Sequence, residues 1–156
     1  MGKIGVFKGE YMECPMPTIN INDAKLLREI FETTKTIAII GLSPDPSKPS
    51  HQVALYLQNV GFKIVPIYPK EEMILGEKVY RSFSEVPEGI DMVDMFRKPQ
   101  IADELVEEIA KRNDVKTLWL QLGIVNNEAS QKARELGLHV VQNRCTKIEH
   151  QRLVQS

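Results

Sequence analysis

Short, continuous apolar runs recur along most of the chain. Each run is four or five residues long, as in IAII at residues 37–40 and TLWL at 117–120. Runs of this kind are typical of parallel strands that are buried on both faces. The pattern predicts five main strands, at residues 37–40, 63–67, 91–96, 117–120 and 138–141, and a shorter one at 78–80.

Segments with helical spacing lie between these runs. In the clearest one, Ile101, Leu105 and Ile109 recur every fourth residue, which places them on one face of a helix. Gly61 and Gly137 follow two of the segments, and glycine commonly ends helices. The pattern predicts helices at residues 22–31, 50–60, 99–112, 126–136 and 147–154.

Strands that alternate with helices indicate an α/β protein. Such a chain forms a parallel sheet with right-handed crossovers. We expect a Rossmann-like doubly wound sheet of about five parallel strands, in three α/β/α layers. The predicted organisation is a poorly specified N-terminal tail at residues 1–21 and a single domain at residues 22–156.

The composition narrows the classes of function. The 156 residues carry a net charge of about −1, so no overall positive field favours nucleic acid or anionic membranes. No apolar run approaches the length of a membrane span, and the first residues lack the apolar core of a signal peptide. We therefore expect a cytoplasmic protein whose Cys14 and Cys145 are thiols, and we find no spacing that suggests a metal site.

The loop GLSPDPSKPS, at residues 41–50, is the first candidate site. It joins a predicted strand to a predicted helix, and free N–H groups at a helix N-terminus attract anions. The candidate ligand contacts in it are Gly41, Leu42, Ser43, Lys48 and Ser50. A rigid connection with Ser50 as a plain helix cap is the alternative, although ten residues exceed what a tight connection needs.

The ends of the second and third strands add cations at the same edge of the sheet. The second strand leads into Pro66, Tyr68, Pro69 and Lys70 rather than into the acidic residue typical of NAD sites, so NAD is disfavoured and NADP is not excluded. The third leads into Phe96, Arg97, Lys98 and Pro99, and guanidinium and ammonium groups both bind phosphate. A solvated basic turn is the alternative.

The last two strands end in polar residues. Gln121 offers hydrogen bonds, Gly123 permits close approach, and Trp119 is expected in the core. Cys145 lies between Arg144 and Lys147, which would lower the pKa of its thiol; a half-buried, inert cysteine is the alternative. We assign no catalytic residue, because no histidine has a serine or cysteine partner at a recognisable spacing.

Taken together, these segments resemble the CoA-binding domain family, small stand-alone proteins related to the N-terminal domain of the succinyl-CoA synthetase α subunit. The resemblance covers about residues 34–153 and is carried by the segments IIGLSPDPSKPSHQVALYL, VPIYP, ILGEKVYRSFSEVP, DMVDMFRKP, WLQLGIVNNEA and NRCTKIEH.

The resemblance implies coenzyme A or an acyl-CoA as the ligand. It implies that the loop after the first strand contacts the phosphates, that residues 66–70 contact the adenosine part, and that the third and fourth strand ends line the remaining path, with Cys145 nearby. The chain has no room for the synthetase's phosphohistidine domain. We therefore expect a non-catalytic binding, sensor or carrier module. A small NADP-dependent oxidoreductase and a redox protein that uses Cys145 with the CoA thiol are the alternatives, and the oligomeric state, including a homodimer, is left open.

Overall fold

The computed structural model describes residues 21–155, so residues 1–20 of the predicted tail, including Cys14, lie outside the described residues. The helices are α1 (Ile21–Glu32), α2 (Pro49–Asn59), α3 (Ile101–Ala110), α4 (Asn127–Glu135) and α5 (Thr146–Gln155). The strands are β1 (Thr36–Ile40), β2 (Lys63–Ile67), β3 (Met73–Ile74), β4 (Glu77–Lys78), β5 (Met92–Met95), β6 (Thr117–Leu120) and β7 (His139–Val141). A 3-10 helix spans Phe83–Glu85.

The main sheet has five parallel strands in the order β2-β1-β5-β6-β7. In register, Ala38 of β1 faces Val65 of β2 and Val93 of β5. The chain runs outward from β1 to β2 and then crosses back to β5 on the other side of β1. This reversal is the topological switch point of a doubly wound sheet, and the predicted Rossmann-like α/β fold is confirmed.

Alternate side chains along each strand divide the core between the two faces of the sheet. Ile37, Ile39 and Trp119 belong to the cluster that packs against α1 and α2, whereas Ala38 and Leu120 belong to the cluster that packs against α3 and α4. Trp119 is fully buried as expected, and its indole N–H donates to the backbone oxygen of Arg144 at 2.8 Å. Both faces are therefore covered by helices, which explains why the strands read as continuous apolar runs.

The segment between β2 and β5 differs in detail from the prediction. The predicted strand at residues 78–80 is divided: Glu77 and Lys78 pair with β3 in an antiparallel hairpin, and Tyr80 bridges to Ile67 in parallel. The N–H of Tyr80 donates to the oxygen of Pro66, so this segment extends the sheet at the end of β2. Among the described residues, we find no helix with the length and apolar character needed to cross a bilayer.

Candidate functional site

A pocket of about 580 Å³ opens at the carboxyl edge of the sheet, next to the switch point. This volume falls within the range of ordinary small-molecule sites. The pocket is lined by residues from the ends of β1, β2, β5 and β6 and from α2 and α5: Gly41, Ser43, Lys48, Pro49, Ser50, Val53, Tyr68, Phe96, Gln121, Leu122, Ile124, Cys145 and Ile148.

The loop at residues 41–50 holds its shape through its own hydrogen bonds. The Ser43 N–H donates to Ser50 Oγ at 3.0 Å, and the Ser47 N–H and hydroxyl both donate to Asp45 Oδ1. The two bonds from Ser47 lower the pKa of Asp45. Lys48 is the N-cap of α2, with its exposed side chain at the pocket, and Pro49 occupies the first turn. A preformed loop of this kind loses little entropy when a ligand binds.

Gly41 is required by the geometry of this edge. Its φ of +86° lies in the left-handed region, and a Cβ added there would meet Arg97 Cδ at 2.7 Å. The stem of Arg97 therefore packs directly on Gly41. Its side chain lines a second cleft, of about 200 Å³, on the side of the sheet that α3 covers. Gly41 itself lines the main pocket, and the absence of a side chain lets a ligand approach its backbone closely.

Arg81 holds the loop after β2 in place through hydrogen bonds to the loop backbone. One guanidinium nitrogen, Nη1, donates to the backbone oxygens of Tyr68 at 3.2 Å, Lys70 at 3.0 Å and Glu71 at 2.8 Å. Glu71 has a φ of 68°, so this turn uses a strained conformation for a residue other than glycine. These bonds hold Tyr68 at the pocket and leave Lys70 exposed outside it.

A fully buried carboxyl lies beneath the pocket. Asp94 has no exposed surface, and it accepts hydrogen bonds from Gln121 Nε2 at 2.7 Å and from Thr146 Oγ1 at 2.9 Å. Burial raises the pKa of Asp94 to about 7, although the two hydrogen bonds oppose the rise. The sequence pattern did not reveal this network, because the partners are 27 and 52 residues away in sequence.

Cys145 lines the pocket but is not an activated thiol. Burial raises its pKa above the ordinary value, with the nearby Asp94 adding to the rise, so the expected lowering is wrong. Arg144 pairs with Asp23 at 3.6 Å and Glu149 at 3.9 Å. Lys147, whose ammonium group lies over the ring of Tyr56, lowers the pKa of the Cys145 thiol but does not cancel the rise caused by burial.

The structure brings half of the predicted contacts to this pocket. Those that line it are Gly41, Ser43, Lys48, Ser50, Tyr68, Phe96, Gln121 and Cys145. Those outside its lining are Leu42, Pro66, Pro69, Lys70, Arg97, Lys98, Pro99 and Gly123. Leu42 and Pro66 are buried, because they belong to the packed ends of the strands. The lining residues that were not predicted are Pro49, Val53, Leu122, Ile124 and Ile148, most of them apolar residues whose helical or loop pattern also fits a core position.

The fold and the pocket define a Rossmann-like domain with an anion-attracting helix N-terminus at its switch point. Residues 35–151 match the family described as CoA binding domain. The chain belongs to this family.

Two relatives match almost along their whole length. The Bacillus subtilis protein YneT is 36% identical over 128 residues, which cover 80% of this chain and 91% of that protein. The structure of a hypothetical protein from Pyrococcus horikoshii OT3 has a TM-score of 0.81 and 40% identity, and the match covers 92% of this chain and 99% of that one.

Larger proteins contain a similar segment. An ADP-forming acetate–CoA ligase II of Archaeoglobus fulgidus is 33% identical over 88 residues, which cover 55% of this chain and 13% of the ligase. The chain is thus similar to a small part of that enzyme.

Proposed function

We propose that the protein binds coenzyme A or an acyl-CoA in the pocket at the carboxyl edge of the sheet, as a binding module without catalysis of its own. The observation that carries this proposal is the position of Lys48, which is the N-cap residue of α2 and lines the pocket. The proposal also rests on membership of the CoA binding domain family.

The charges of the site suit the phosphates of this ligand. The dipole of α2 and the ammonium group of Lys48 act on the same end of the pocket. Lys70 and Lys98 are exposed on neighbouring loops at the same edge of the sheet, on a chain whose net charge is only about −1, whereas Arg97 lines the second cleft. CoA carries a ribose phosphate in addition to its pyrophosphate, so a cationic rim favours it over ligands with fewer charges.

The interior of the pocket suits the pantetheine arm. Val53, Phe96, Ile124 and Ile148 give it apolar walls. A long, largely apolar arm with a few amide groups matches a pocket that has apolar walls and few polar contacts. Gln121, a buried polar residue of the lining, faces this part of the ligand.

A second candidate is thiol–disulfide exchange at Cys145, which the position of this thiol in the pocket favours. In the balanced reaction, the Cys145 thiolate attacks CoA disulfide, a Cys145–CoA disulfide forms, and one CoA leaves as the thiolate and takes up a proton. The raised pKa of the Cys145 thiol makes this attack slow at neutral pH, so we rank it second.

Calorimetric titration with CoA tests the proposal through Lys48→Ala. Loss of one charge-assisted contact to phosphate costs about 1.5–3 kcal/mol, which corresponds to roughly a 10- to 100-fold weaker Kd. Lys63→Ala is the matched control, because Lys63 is an exposed lysine at the start of β2, on the opposite edge of the sheet. Equal affinities of the two variants for CoA would show that Lys48 does not contribute to binding.

A further inference from the structure

Three buried polar side chains form a network directly under the pocket. Gln121 Nε2 donates to Asp94 Oδ1 at 2.7 Å and to Thr146 Oγ1 at 2.8 Å, and Thr146 Oγ1 donates to Asp94 Oδ2 at 2.9 Å. Asp94 and Thr146 have no exposed surface, and Gln121 is 4% exposed. Of the three, Gln121 is the one that lines the pocket.

The network fixes which way the Gln121 amide points. An ionised carboxylate only accepts hydrogen bonds, so the NH₂ side of the amide must face Asp94. If a proton resides on Asp94 Oδ2, it reverses the bond to Thr146 and leaves Oδ1 as the acceptor for Gln121. With the proton on Oδ1 instead, a reversed amide would accept from it but would lose one of the three hydrogen bonds, because its oxygen and Oδ2 would compete for the single hydroxyl proton of Thr146. The orientation with the NH₂ group towards Asp94 is therefore favoured in both protonation states.

These bonds use every polar atom of Gln121 except one. Both hydrogens of Nε2 are donated, the backbone N–H donates to the oxygen of Met95, and the backbone oxygen accepts from Ile124. The side-chain oxygen Oε1 is the atom that these bonds leave for a ligand. A carbonyl oxygen in a mostly apolar surrounding accepts hydrogen bonds and is unfavourable next to another acceptor.

We propose that Gln121 is a specificity-determining residue that presents a fixed hydrogen-bond acceptor to the pocket and thereby selects an N–H or O–H donor of the ligand. Asp94 and Thr146 are the positioning residues that hold it. This inference rests on the proposed function, in which the amide N–H and hydroxyl groups of the pantetheine arm are such donors. Phosphate oxygens are acceptors, so they are directed away from Gln121 and towards Lys48 and the N-terminus of α2.

Calorimetric titration with two ligands, CoA and adenosine 3′,5′-bisphosphate, tests the inference. The second ligand has a nucleotide with phosphates but no pantetheine arm. Gln121→Met keeps the length of the side chain and removes the acceptor. We expect it to weaken CoA binding about tenfold, the effect of one hydrogen bond, and to leave the bisphosphate affinity unchanged. Gln131→Met, on the exposed face of α4, is the matched control and should change neither affinity.

The double variant Asp94→Asn/Gln121→Glu exchanges the carboxyl group and the amide group between the two positions. The amide introduced at position 94 can donate to one oxygen of the carboxylate introduced at position 121, and the other oxygen again presents an acceptor to the pocket. We expect this variant to bind CoA within about threefold of the wild type, since the number of hydrogen bonds is conserved. Far-UV circular dichroism shows whether Gln121→Met folds. If it does not fold, the double variant still tests the role of Gln121.

The outcomes separate the inference from the proposed function. Equal losses for both ligands in Gln121→Met, or a loss of CoA affinity in the exchanged pair with the bisphosphate affinity retained, would overturn the role of Gln121. That role would also be overturned if the wild type bound the two ligands equally tightly, since the arm would then make no contact. A wild type that binds neither ligand would instead refute the proposed function itself.

Discussion

Because of the buried carboxyl of Asp94, the stability of the protein depends on pH over a range in which an ordinary aspartate does not titrate. Its pKa rises from 3.8 to about 7 because burial disfavours the charged form. A group whose pKa is higher in the folded state stabilises the fold fully at low pH. This contribution is lost as the pH rises through the folded pKa, here about 7.

The size of the effect follows from the two pKa values. With 3.8 for the unfolded chain and about 7 for the folded protein, the free energy of unfolding should fall by about 3 kcal/mol between about pH 5 and pH 8 through this one group. Asp94→Asn removes the titration and keeps the size and polarity of the side chain. The variant should therefore lack this fall, while all other titrating groups are shared with the wild type.

Urea unfolding of both proteins at several pH values gives the measurement. The quantity to plot is the free energy of unfolding of the wild type minus that of Asp94→Asn, because the other groups cancel in this difference. The difference should decline as the pH rises from about 5 to 8. A difference that is flat over this range, or that rises, would refute the reasoning that Asp94 is protonated in the fold.

Two further predictions concern the pocket. Gly41→Ala should destabilise the protein by about 1–3 kcal/mol in urea unfolding and weaken CoA binding, because a side chain at positive φ is strained and the added Cβ would displace Arg97. Gly61→Ala is the control: Gly61 also has a positive φ, but no atom lies near an added Cβ, so this variant should destabilise the fold without changing the affinity for CoA. Equal affinities of these two variants would contradict the close approach at Gly41. In a Cys14→Ser background, Cys145 should react with iodoacetamide more slowly than free cysteine at neutral pH, faster as the pH rises, and more slowly again with CoA bound. Mass spectrometry of the alkylated protein measures these rates, and a reaction faster than that of free cysteine would contradict the raised pKa.

The sheet was predictable from the sequence because its strands are buried on both faces. Runs such as 37–40 and 117–120 contain no polar interruption, and the helices between them have a clear apolar period. The small elements near β2 were harder to predict from the sequence. Residues 73–78 form a hairpin between segments close in sequence, and Tyr80 extends the sheet by a single bridge to Ile67. Two-residue strands carry too few residues for any period to be visible.

The site was only partly predictable for a related reason. Topology places the strand ends at one edge, which identifies the loop with Lys48 and the end of β6 with Gln121. It does not say which side chains of an edge turn into the pocket and which, like Arg97, turn to the cleft on the other face. The network of Asp94 with Gln121 and Thr146 joins segments that are distant in sequence, so no local sequence pattern predicts it.

Thermal unfolding with excess CoA, dephospho-CoA or NADP is the most direct test of CoA binding by the pocket. A ligand present at about 100 times its Kd adds about 2.7 kcal/mol, which raises the Tm of a domain of this size by roughly 5–10 °C. CoA should raise the Tm most, and dephospho-CoA less, because it lacks the ribose phosphate that the cationic rim favours. No shift with CoA, or a larger shift with NADP, would contradict the account.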